Sequence, residues 1–116
     1  MASLDHLQED VSPDEVRKLL AEDAIVLIDV REPYEHEAGR IEGARHIEIP
    51  ALTAAAAELD QEQPIVFYCR SGARSAMTTQ AFRASGFEAF NLTGGLLAWV
   101  AKGLPIVPDG GVVADH

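Results

Sequence analysis

Ile65-Val66-Phe67-Tyr68-Cys69-Arg70-Ser71-Gly72-Ala73-Arg74-Ser75 is the stretch on which the reading of this chain turns. Its first four residues are apolar, β-branched or aromatic, and show no alternation. Such a run fits a strand buried on both faces. It leads into a short polar loop that holds the chain's only cysteine. Beyond the loop, Ser75–Ser85 reads as a helix, with Gly86 as its terminator. A buried strand, a loop and a helix start follow one another directly.

The same pattern recurs on either side. Upstream, Ser12-Pro13-Asp14-Glu15 reads as a helix start: Ser12 caps, Pro13 suits the first helical position, and Glu15 completes a capping box. That helix is expected to run to about Glu22. Ile25-Val26-Leu27-Ile28 is a second buried strand, ending at Asp29. Pro33–Ala38 is a short polar turn or helix ended by Gly39. Ala44–Ile49 alternates apolar and polar residues and reads as a strand stopped by Pro50. Ala51–Leu59 is alanine-rich and expected to be helical. Downstream, Phe87–Leu92 is a strand, Gly94-Gly95 a turn that needs unusual dihedrals, and Leu96–Lys102 a helix ended by Gly103 and Pro105.

Strands alternating with helices imply a three-layer α/β domain, its mostly parallel sheet flanked by helices. The 116 residues suit a single domain. Its core should span about 12–105, with 1–10 and 107–116 as flexible tails. In such sheets ligands bind beyond the carboxyl ends of strands. Asp29 and Cys69 both occupy such ends.

Composition narrows the chemistry. One cysteine excludes an intramolecular disulfide framework and any multi-cysteine zinc site. It fits a reducing, cytoplasmic setting. A formal charge of −10 argues against nucleic acid and anionic membranes as partners. Met1–Asp10 has no basic and apolar signal pattern, and no run approaches the roughly 20 apolar residues of a membrane span. Two of the nine basic residues nevertheless lie in the Cys69 loop. A positive focus on a negative protein points to a small anionic ligand.

The loop has the parts to bind one. It ends at a helix N-terminus, which supplies unpaired N–H groups and the positive end of a helix dipole. Gly72 in the middle of this loop of short residues lets it curl so that successive N–H groups point inward as a nest. Arg70 and Arg74 offer guanidinium forks suited to oxyanions, and Ser71 and Ser75 offer hydroxyls. The same donors favour thiolate over thiol, so Cys69 is the candidate nucleophile.

Four segments in order resemble a known family: Leu27-Ile28-Asp29-Val30-Arg31-Glu32, Gly39-Arg40-Ile41-Glu42-Gly43-Ala44, Cys69-Arg70-Ser71-Gly72-Ala73-Arg74-Ser75, and Gly94-Gly95 with Trp99. Together they resemble a single-domain rhodanese, a thiosulfate-type sulfurtransferase, over roughly 12–105. The resemblance implies that Cys69 accepts sulfane sulfur as a persulfide and passes it to a nucleophile. It implies that the backbone of Arg70–Arg74 and Ser75 forms the cradle. It also implies a small thiosulfate-like donor and a thiol, cyanide or protein acceptor, with no metal or organic cofactor. Arg40 departs from the family, which often has histidine there, but the segment is a turn.

Loop length separates this reading from its neighbours. Cys69 to Arg74 is Cys-x4-Arg, one residue shorter than the Cys-x5-Arg of the related dual-specificity phosphatases and arsenate reductases. The shorter cradle suits a sulfur atom better than a tetrahedral phosphate. The alternatives are a sulfur-carrier or regulatory binding module, and then a phosphatase or arsenate reductase of the same fold. With no second cysteine to resolve a persulfide, the acceptor must come from outside.

Other residues take supporting parts. Asp29 is expected to accept hydrogen bonds from the Cys69 loop, and Arg31 to pair with Glu32 or Glu35. His36 and His46 read as surface or turn histidines rather than metal ligands. Trp99 should pack the last helix on the sheet, and Phe67 should be core.

Overall fold

The computed structural model describes residues 7–116. Five short strands carry the fold: β1 (Asp10–Val11), β2 (Val26–Asp29), β3 (Arg45–His46), β4 (Ile65–Tyr68) and β5 (Ala89–Leu92). They lie in the order β1-β5-β4-β2-β3, and every pairing is parallel. Parallel neighbours need crossovers, which the helices supply. These are α1 (Pro13–Ala21), α2 (Pro33–Ala38), α3 (Leu52–Ala56), α4 (Ala73–Ala84) and α5 (Gly95–Ala101). No helix among the described residues is long and apolar enough to cross a membrane.

The central strand β4 shows why the apolar runs do not alternate. Val66 and Tyr68 point into a cluster with Val16 and Leu19 of α1 and Leu96 and Trp99 of α5. Ile65 and Phe67 point the other way, onto Leu52 of α3 and Phe82 of α4. Both faces are covered, so the run is aliphatic or aromatic throughout. Burying one such side chain is worth about 1.5–3 kcal/mol. Trp99 also donates its indole N–H to the Pro105 carbonyl at 2.8 Å.

Several boundaries differ from the sequence reading. The Ala44–Ile49 strand shrinks to Arg45–His46, and Ile49–Ala51 forms a 3-10 turn instead. Pro50 fits the start of that turn and has no N–H for a ladder. The alanine-rich helix covers only Leu52–Ala56, where Leu52 alone is buried. Propensity without a packed face does not extend a helix. Asp10, expected as the end of a tail, instead forms a strand with Val11 and pairs with Asn91 of β5, as Val11 does with Leu92. The first six residues of that expected tail lie outside the described residues.

The segment 107–116, also expected as a tail, runs back over the domain. Val107 and Arg40 exchange both backbone hydrogen bonds, at 2.8 and 2.9 Å, and Val112 donates to the Ala38 carbonyl at 2.9 Å. Backbone pairing of this kind leaves no periodic trace in side chains. It also explains Gly39. Its φ of 179° is extended and accessible to any residue. A Cβ there, however, would collide with the Val112 carbonyl oxygen.

The turn before α5 positions the Cys69 loop. Gly94 and Gly95 have φ of 74° and 60°. The α5 start donates from Leu96 to the Cys69 carbonyl at 2.9 Å and from Leu97 to the Arg70 carbonyl at 3.0 Å. A Cβ on Gly95 would lie 2.5 Å from the first of these oxygens. Gly95→Ala therefore combines backbone strain with a backbone clash, and we expect it to cost about 2 kcal/mol or more in denaturant unfolding. Gly43 has φ +90° but open space around it. Gly43→Ala should cost only about 1 kcal/mol.

Candidate active site

The loop between β4 and α4 closes around the Cys69 sulfur. Gly72 N–H donates to Sγ at 3.1 Å, and the Ser75 hydroxyl lies 3.4 Å from it. Gly72 makes the curl possible with φ 102°. Cys69 is only 1% exposed. Burial alone pushes its pKa up, but the Ser75 hydroxyl and the N–H groups of Ser75, Gly72 and Arg74 outweigh it. The thiol is therefore held below its ordinary value, and the site favours thiolate. Ser71 and Ala73 are exposed at the rim of the loop.

Neither arginine of the loop is idle. Arg74 forms a two-pronged pair with the buried Glu35 of α2, both contacts 2.9 Å. Glu35 also accepts from the Glu32 N–H at 3.1 Å. Burial raises the Glu35 pKa, but the Arg74 fork and the Glu32 N–H outweigh it and hold it low. Arg70 turns toward the C-terminal segment. Its Nε donates to the Ala114 carbonyl at 3.2 Å, and Nη2 lies 3.4 Å from the Asp115 carboxylate. Tyr34 ties the same segment down by donating to the Asp115 carbonyl at 3.0 Å.

Asp29 and Arg31 form a buried pair, both 0% exposed. Arg31 donates to Asp29 from its backbone N–H at 3.0 Å, from Nε at 2.9 Å and from Nη2 at 2.7 Å. Nη2 also reaches the Gly39 carbonyl at 2.8 Å. The sequence expectation that Arg31 pairs with Glu32 or Glu35 is corrected: the chain turns sharply after Asp29, so its carboxylate meets the Arg31 fork. Asp29 likewise takes its hydrogen bonds from Arg31 and His36 rather than from the Cys69 loop. Burial raises its pKa, and the Arg31 hydrogen bonds and charge bring it below the ordinary value.

The two histidines are half-buried, not surface groups. Their rings stack at 4.4 Å. His36 Nδ1 meets Asp29 at 2.8 Å, and His46 Nε2 meets the Arg31 carbonyl at 2.7 Å. Among the described residues, Glu32, Glu35 and His116 bring potential metal-ligand atoms within 4.8 Å of one another. Both Glu35 oxygens there already hold Arg74.

Sequence reasoning missed three contributors: Glu35 as the Arg74 partner, the contact of Ala114 and Asp115 with Arg70, and Asn91. Asn91 on β5 accepts from the Ser75 hydroxyl at 2.6 Å. Its signal was present, as a polar residue inside the apolar run Phe87–Leu92. Glu35 offered only the local pattern of a helix start.

The rhodanese-like domain model matches residues 12–102. The chain belongs to the rhodanese-like domain family. It is 34% identical to a protein named sulfurtransferase from Allochromatium vinosum, over 81% of this chain and 90% of that one. It is 35% identical to an uncharacterized Synechocystis protein over 92% of this chain, but spans only 60% of that longer relative. Among solved structures, a rhodanese-related protein from Thermoplasma volcanium superposes with a TM-score of 0.79 at 25% identity. That match covers 86% of this chain and 98% of that one. The observed five-stranded parallel sheet between helices is the architecture the family resemblance implies.

Two measurements follow from this geometry. Asp29 and Glu35 have folded pKa values below their ordinary 3.8 and 4.5. Their stabilisation is complete above those values and is lost as pH falls through the lower, folded ones. Unfolding midpoints should therefore be flat near neutrality and decline under acid. A double-mutant cycle of Glu35→Gln with Arg74→Gln should show about 1–3 kcal/mol of coupling at pH 7, fading with that decline. The second measurement is alkylation of Cys69 by iodoacetamide. Its rate should rise with pH through a midpoint below the ordinary thiol value, and Ser75→Ala should shift that midpoint upward.

Proposed function

We propose that this protein is a sulfurtransferase that moves sulfane sulfur from a thiosulfate-like donor to an external nucleophile through a Cys69 persulfide. The observation that carries this reading is the convergence of the Gly72 N–H and the Ser75 hydroxyl on a buried, solitary Cys69 sulfur. A relative named sulfurtransferase, matched over most of its length, supports it.

The steps balance without a cofactor. The Cys69 thiolate attacks the outer sulfur of thiosulfate. A sulfur–sulfur bond forms to Cys69, and the bond to the sulfonate sulfur breaks. The electron pair leaves with sulfite. The persulfide then carries its negative charge on the outer sulfur, within reach of inward-facing loop N–H groups. Cyanide or a thiolate attacks that outer sulfur, and the pair returns to Cys69 as thiolate. With one cysteine in the sequence, the second nucleophile is a separate molecule or protein.

The arginines divide this work. Arg74 is largely neutralised by Glu35, so it holds the loop to α2 and contributes little net pull on a donor. Arg70 is the more available cation, its side chain 33% exposed against a fully exposed Asp115. Incubation with thiosulfate followed by non-reducing intact mass should show one added sulfur atom, absent in Cys69→Ser. Cyanide should then release it as thiocyanate and restore the original mass. No adduct and no thiocyanate would overturn the assignment.

A further inference from the structure

Ser75 has one hydroxyl proton and three acceptors within reach. Asn91 Oδ1 lies at 2.6 Å, the Gly72 carbonyl at 3.3 Å and Cys69 Sγ at 3.4 Å. A hydroxyl donates only once at a time. The Asn91 amide is oriented from behind: Nδ2 donates to Asp10 Oδ1 at 3.1 Å and to the Gly72 carbonyl at 3.4 Å. Both partners are acceptors, so the amide oxygen must face Ser75. Cys69, Ser75 and Asn91 are 1%, 0% and 4% exposed. In so dry a site an unmet donor or acceptor carries its full desolvation penalty.

We propose that Asn91 is a positioning residue that acts through Ser75. Its amide oxygen holds the Ser75 proton while Sγ is uncharged and releases it to Sγ when the thiolate forms. This rests on the persulfide cycle proposed above. In that cycle the charge sits on Sγ in the free protein and on the outer sulfur in the persulfide. Sγ needs the Ser75 proton only in the first state, and Asn91 occupies it in the second. The exchange is a rotation about the Ser75 Cβ–Oγ bond; the proton stays on Oγ and no covalent bond changes. The charged groups around the sulfur are Arg74 with its partner Glu35 on α2, Arg70 on the loop, and Asp10 of β1 behind Asn91. None of them competes for the Ser75 proton directly.

The pH profile of Cys69 alkylation by iodoacetamide tests the proposal. Asn91→Leu keeps the shape of the side chain but removes the nearest competing acceptor, leaving only the Gly72 carbonyl at 3.3 Å to compete with the thiolate for the Ser75 proton. The midpoint should fall by about half to one pH unit. Ser75→Ala should raise it, and the double variant should match Ser75→Ala alone. An Asn91 that only shapes the strand would lower the unfolding midpoint and leave the pH profile in place. An unmoved or raised alkylation midpoint in folded Asn91→Leu overturns the proposal. Should that variant not fold, the wild-type Asn91 side-chain carbonyl resonance is followed by NMR across the Cys69 titration. It should move with the thiol in the wild type and much less in Ser75→Ala; a resonance unmoved in the wild type overturns the proposal. Alkylation needs no sulfur transfer, so a failed thiosulfate reaction sinks the cycle and leaves this measurement readable.

Discussion

A negative charge on a buried sulfur exists only where donors meet it. Cys69 is almost wholly inaccessible, and burial by itself would keep it a neutral thiol. The donors that reverse this come from a single turn of backbone and one hydroxyl. Most of the surrounding architecture keeps those donors in place. Strand β4 delivers the cysteine at its carboxyl end, and α4 begins where the loop N–H groups would otherwise be unpaired. The α5 start takes the Cys69 and Arg70 carbonyls for itself. With their oxygens held on that side, the peptides of the loop present their N–H groups to the other.

The charged residues around the loop work as braces. Glu35 reaches from α2 to Arg74, and Asp29 locks Arg31 against the turn that carries α2. Pairs this buried give little net stability over apolar replacements, but a lone partner is costly. The value of the Glu35–Arg74 pair is geometric: it fixes the distance between α2 and α4.

The fold was readable because its signals are local. Runs such as Ile25–Ile28 and Ile65–Tyr68 report two-sided burial, and the paired glycines before α5 report a turn. The loop was readable for the same reason, since Cys69, Gly72 and the helix start lie within a few residues. The partners of its side chains were not. Arg74 meets a residue 39 positions earlier, and Arg70 one 45 positions later. Side-chain periodicity reveals which residues are buried but not whom they touch. The return of 107–116 over Arg40 leaves no sequence signal, because backbone pairing needs no particular side chains. Asn91 is a polar residue in an apolar strand, a signal that gains meaning only from its position next to Ser75.

The pairing of both loop arginines bears on how a donor arrives. Glu35 offsets Arg74, and Asp115 sits beside Arg70. The loop thus projects little long-range positive field from a chain whose formal charge is −10. A dianion approaching in dilute buffer meets net repulsion until it is within a few ångströms of the N–H groups. Electrolyte that shortens the Debye length to about 10 Å at 0.1 M weakens that repulsion more than the short-range attraction. Encounter with the small dianionic donor proposed above would accordingly be helped by moderate ionic strength, the reverse of a site that steers an anion with exposed cations.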